Sequence, residues 1–244
     1  MQSHLWMHHR RKRSDGTPPY RWECPYCGAT GVEYVQTDGN ALKNHLTEHV
    51  PSVFDTVSTS DLVHPGGRLL LYTGGGGTAA TVMRKHVFFD ADSLLLVTAT
   101  PDKQLELLSE IPFPPVRTAV LTTASPPYEY ADATGGQVDV IQLEGGIGLT
   151  ELARESSDVI EDYGDRGGTF HIEFDIAGAI IERFGLESAF KFISALNAWI
   201  HRAEAGIYYP VSSSKQPKSV LNALDGLFDR SIRAREKRLV SSFN

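Results

Sequence analysis

From Arg68 onward, short apolar runs alternate with stretches whose apolar residues recur every three or four positions. RLLLYT (68–73), SLLLVTAT (93–100), RTAVLTTA (117–124), VDVIQL (138–143), GTFHIEFD (168–175) and GIYYPV (206–211) have the length and side-chain type of strands. Between them, TAATVMRKHVFF (78–89), DKQLELLSEI (102–111) and GLTELARESSDVIEDYG (148–164) read as helices, with Asp102 placed near an N-cap and Gly164 at a stop. Leu186, Phe190, Ile193, Leu196 and Ile200 share one face of a further helix. Val220, Leu221, Leu224, Leu227, Phe228 and Ile232 predict a last helix, whose end DRSIRAREKR would complement its dipole. Apolar strands alternating with helices give the α/β class, a mainly parallel sheet with helices on both faces.

Ahead of this region the pattern lapses. Residues 1–20 have no period, hold four consecutive bases (Arg10, Arg11, Lys12, Arg13) and read as a flexible basic arm. Residues 21–50 form a separate module, and the Ser/Thr-rich stretch 51–66 a linker. The α/β domain then takes 67–235, with a basic tail at 236–244. A chain of 244 residues is long enough for one sizeable domain and a small appendage. No run approaches the roughly 18–20 apolar residues of a membrane span, and the N-terminus lacks a secretion signal, so no membrane association and a cytoplasmic location are expected.

Charge changes the picture at the two ends. The total is −7. Residues 1–50 carry +1 and residues 230–244 carry +4, which leaves −12 on the body between them. Basic ends on an acidic body point to a polyanionic partner.

The module at 21–50 holds both cysteines. Cys24 and Cys27 are spaced C-x-x-C, and His45 and His49 lie four apart, on one face of a helix. Two sulfurs and two nitrogens suit tetrahedral Zn(2+), which would supply the folding free energy that so small a core cannot. Trp22 and Leu42 stand where a ββα zinc finger keeps its core residues. Seventeen residues separate Cys27 from His45, against about 12 in the standard pattern, and the extra length is expected to extend a hairpin around GATGVEYVQTDGN. The positions that would face DNA bases are Asp38, Ala41 and Asn44, with no arginine for guanine. Non-specific help from Arg10 to Arg13 is physically reasonable, because phosphate contacts dominate affinity. Docking on another protein or on the chain's own body is the other reading.

A second candidate is YTGGGGTAAT. A glycine-rich loop between a first strand and a helix is where phosphate cradles sit, which makes Gly74, Gly75, Gly76, Gly77 and Thr78 candidate nucleotide contacts. The lysine and the Ser/Thr of a working P-loop are missing, and Lys85 lies about two helical turns onward. Asp175, at the end of an apolar strand, sits where a magnesium-holding acid would follow. His171 reads as a satisfied core residue, and no nucleophile elbow or spare thiol is present.

From Gly67 to about Arg235 the order of elements resembles a degenerate RecA/KaiC-superfamily domain of haloarchaeal proteins. RLLLYTGGGGTAAT, GGIGLTELARES, GTFHIEFDIAGAIIERFGLESAFKFISALNAWIHRAEAGIYYPV and NALDGLFDR carry the resemblance. It implies an archaeal, catalytically silent RecA-like domain with a degenerate P-loop, turned to interaction or transcription regulation. Together the residues and the resemblance point to a zinc-finger adaptor, binding DNA, another nucleic acid or a protein, and not to an enzyme. A nucleotide-binding sensor or weak NTPase and a self-assembling homo-oligomer are the alternatives.

Overall fold

The computed structural model describes residues 20–23, 29–33, 65–74, 78–111, 114–126, 136–164, 167–235 and 238–242. The arm up to residue 19, His45, His49, Asn44, Cys24, Cys27 and the linker up to residue 64 lie outside them. Of the front module, β1 (Tyr20–Glu23) and β2 (Thr30–Glu33) are described as an antiparallel pair with Trp22 opposite Gly31. The hairpin was expected over GATGVEYVQTDGN; β1 lies upstream of it, so the segment joining the strands, residues 24–29, contains both cysteines. Ala29 packs against the core of the main domain.

The main sheet starts with β3 (Arg68–Thr73), followed by α1 (Thr78–Phe89), β4 (Ser93–Val97), α2 (Pro101–Ser109), β5 (Arg117–Thr122) and β6 (Gln137–Gln142). Then come α3 (Leu149–Gly164), β7 (Phe170–Phe174), α4 (Ala177–Phe184), α5 (Leu186–Arg202), β8 (Gly206–Ser212), α6 (Lys218–Asp225), β9 (Arg230–Arg235) and β10 (Arg238–Ser242). The order across the sheet is β10-β9-β3-β8-β7-β4-β5-β6. Every neighbouring pair is parallel except β9 and β10. This is the expected mostly parallel sheet flanked by helices.

Period-two alternation builds two cores from each strand. Leu70 and Tyr72 face one side with α3, α4, α5 and α6; Leu69 and Leu71 face the other with α1 and α2. Both sides of β3, β4 and β8 are buried, which is why these strands read as continuous apolar runs. Among the described residues no helix is long and apolar enough to cross a membrane.

Two expectations are corrected. The last helix stops at Asp225, with Gly226 at its C-cap. Residues 230–235 and 238–242, expected as helix end and basic tail, are instead an antiparallel hairpin on the sheet edge. Ile232-Arg233-Ala234-Arg235 alternates with a period of two, and Ile232, Ala234 and Leu239 bury together in the α1-side core. The segment 177–184, given no element from the sequence, forms α4, which Gly185 (φ 78°) separates from α5.

Candidate functional site

Parallel strands end on one edge of the sheet, and there the ends of β3, β7 and β8 converge. Ser213 donates its amide to the Thr73 carbonyl at 3.0 Å, tying β8 to β3. The Asp175 amide donates to Val97 at 2.9 Å, tying β7 to β4. Between these ends, α1 and α4, lies a cavity of about 350 Å³. Its lining includes Thr73, Thr81, Arg84, Asp175, Ser212 and Lys215.

Arg84 organises its floor. It leaves the buried face of α1 and donates from Nε to Glu173 Oε1 at 2.8 Å. Its Nη2 stands 3.3 Å from Asp175 Oδ1. Glu173 is fully buried on β7, beside Tyr208 of β8 in the ladder, and the Tyr208 hydroxyl donates to its second oxygen. Gln104, reaching from α2, donates to Asp175 Oδ2 at 2.9 Å. One guanidinium, one phenol and one amide thus serve two carboxylates, leaving Gln104 Oε1 buried without a partner.

The electrostatics follow from burial. Loss of water lifts Glu173 to about 7, and the Arg84 charge offsets only part of that. Asp175 is raised as well, by burial, against the pull of Arg84 and Lys103. Burial also works against the Arg84 charge, but Glu173, Tyr208 and Asp175 outweigh it, and its pKa is raised. Chemically, the acid at the end of β7 already carries a fixed cation. A magnesium ion would have to displace an internal guanidinium to reach it.

The strand-end acid Asp175 lies where the sequence placed it. Gly74 is exposed at the loop start; Gly75, Gly76, Gly77 and the Thr78 side chain lie outside the described residues. Lys85 is turned away, paired with Glu110. His171 is buried, but only half satisfied: Nε2 stands 3.5 Å from Asp90 Oδ2, and Nδ1 lacks a partner. Arg84, Glu173 and Gln104 were not found from the sequence. The available signal was Glu173 itself, a carboxylate inside the apolar strand FHIEF, which demands a buried partner. Among the described residues no group of three or more His, Cys, Asp and Glu could hold a metal ion.

The sequence of 66–234 matches the family described as "Family of unknown function (DUF7504)". No curated protein matches. Among solved structures, the chain is similar to a protein of Pyrococcus horikoshii OT3, at 13% identity over 74% of this chain and 87% of that one, TM-score 0.49. A KaiC-like protein of the same hyperthermophilic archaeon gives 12% identity over 74% and 78%, TM-score 0.47. The flagellar accessory protein FlaH of Methanocaldococcus jannaschii gives 10% identity over 78% and 76%, TM-score 0.40.

Proposed function

The chain belongs to the DUF7504 family, and we propose that it is an adaptor: a silent RecA-like body carrying a zinc module that makes the contacts. The observation that supports silence is the Arg84 bridge to Glu173 and Asp175. A phosphoryl-transfer site needs a metal clamp on its phosphates, and here the strand-end acid is neutralised from within. The missing P-loop lysine points the same way. Cys24, Cys27, His45 and His49 would hold Zn(2+), and the module with its arm would meet a nucleic acid or a protein.

Two measurements on the full chain test this. Purified protein is expected to carry about one zinc per chain, lost in Cys24→Ser/Cys27→Ser. No magnesium-dependent ATP or GTP hydrolysis is expected; turnover abolished by Asp175→Asn would overturn the silent body. A second reading, a nucleotide sensor, is favoured by the cavity itself, which borders Lys215, Thr81 and Ser212 and falls in the size range of ligand pockets. Millimolar ATP without magnesium would then raise the Tm.

A further inference from the structure

Helices α3 and α5 pack together, and both end at the edge of the sheet where β7 and β8 begin, opposite the strand-end cleft. Their last turns border a cavity of about 560 Å³, within the size range of small-molecule pockets. Ser157, Ile160, Glu161 and Gly164 line it from α3, at the three- and four-residue spacing of one helix face. Trp199, Arg202 and Ala203 line it from the other helix, with Glu204 just beyond. Gly164 lets the two helix ends meet: a Cβ there would lie 3.1 Å from the Ala203 Cβ.

Three charges line this cavity unpaired. The side chains of Glu161, Arg202 and Glu204 are exposed and have no ion-pair or hydrogen-bond partner among the described residues. The surface they share is apolar: Ile160 is buried, and Trp199 is half-buried against the core. Glu204 stands at φ 51°, the left-handed position after a helix that glycine fills at least cost. A carboxylate is held there against the preference of the backbone.

Each simple class of ligand leaves part of this lining unserved. An anion meets two carboxylates and the negative ends of two helix dipoles. A plain cation leaves Arg202 facing its own sign. An apolar molecule covers three charges without pairing them. A zwitterion with an apolar arm serves them all. We infer that the cavity binds a free α-amino acid with a large apolar side chain. Its carboxylate pairs with Arg202, its ammonium meets Glu161 and Glu204, and its side chain packs on Trp199 and Ile160. This goes beyond the adaptor reading, since neither the zinc module nor the Arg84 cleft enters it.

The test titrates the full chain with L-phenylalanine and L-leucine, by calorimetry and by tryptophan fluorescence. Binding is expected in the micromolar to millimolar range, and at about ten times Kd the Tm should rise by about 3–6 °C. Phenethylamine, which lacks the carboxylate, and phenylpropionate, which lacks the ammonium, should bind at least about tenfold more weakly. L-Phenylalanine should lose about tenfold or more against Arg202→Gln and against Glu161→Gln/Glu204→Gln. Because these side chains are exposed, the ligand-free Tm of each variant should stay within about 2 °C of the wild type. Trp199→Phe keeps an aromatic wall, so calorimetric binding survives while the fluorescence change disappears. No binding of either amino acid at about 10 mM would overturn the assignment. So would phenethylamine binding as tightly as L-phenylalanine, an unchanged affinity in Arg202→Gln, or a fluorescence change that outlives Trp199→Phe.

Discussion

Strands β4 and β7 lie side by side, five residues each and equally buried. Across their register Leu94 faces His171 and Leu96 faces Glu173. On the α1 side, then, one strand offers two leucines and its neighbour two ionisable groups, in the same layer. The leucines need only shape. The glutamate needs a donor for each oxygen, and Arg84 and Tyr208 supply them. What differs is not burial but what burial demands: the glutamate is held by a dedicated partner on the covering helix.

Removing that partner is the most severe way to break the comparison. Arg84→Ala is expected to cost about 3–5 kcal/mol at neutral pH, because it leaves the buried Glu173 and the half-buried Asp175 without their shared cation. Leu96→Ala, its counterpart on β4, should cost about 2–5 kcal/mol through the cavity it leaves. Urea midpoints measure both, and pH separates them. The leucine loss should not change between pH 5 and pH 8, whereas the arginine loss should shrink at pH 5, where Glu173 takes up a proton.

Glu173→Gln sharpens the same point. Burial raises the folded-state value to about 7, above that of an unfolded glutamate. The folded protein therefore binds the proton more tightly, and the stability this contributes is complete below the unfolded value and lost as pH rises through about 7. Tm against pH should fall over that window in the wild type and stay flatter in the glutamine variant. A parallel fall in both would assign the dependence elsewhere.

The opposite side of the sheet provides milder tests. Tyr72→Phe removes one hydroxyl from Asp225, which keeps Ser231 as a donor, and is expected to cost about 1–2 kcal/mol. Arg68→Ala breaks a half-exposed pair with Asp229 and should cost at most about 1 kcal/mol. If either exceeded the Arg84 effect, the distinction between the two sides would fail.

Much of the fold could be read from the chain, because β3, α1, β4 and β5 have strong single-period patterns and clean stops. The hairpin could not: Leu221, Leu224, Phe228 and Ile232 fit a helical spacing, and the competing alternation in Ile232-Arg233-Ala234-Arg235 spans only four residues. Helix α4 was lost because AGAIIERF is too short for its period to stand out. In the cleft, Asp175 was legible from its place at a strand end. Arg84 was not, since an arginine on an amphipathic helix gives no sign of which way its long side chain turns until the sheet beneath it is known.

The position of β8 between β3 and β7 has a consequence for how the molecule is made. The first long strand of the body has only β8 and β9 as neighbours, and both come about 130 residues or more after it ends. During synthesis, β4, β5, β6 and β7 can assemble as one half while β3 waits with both edges open. The sheet is closed only when the last quarter of the chain arrives, so a truncation before residue 206 would strand an apolar edge and favour aggregation.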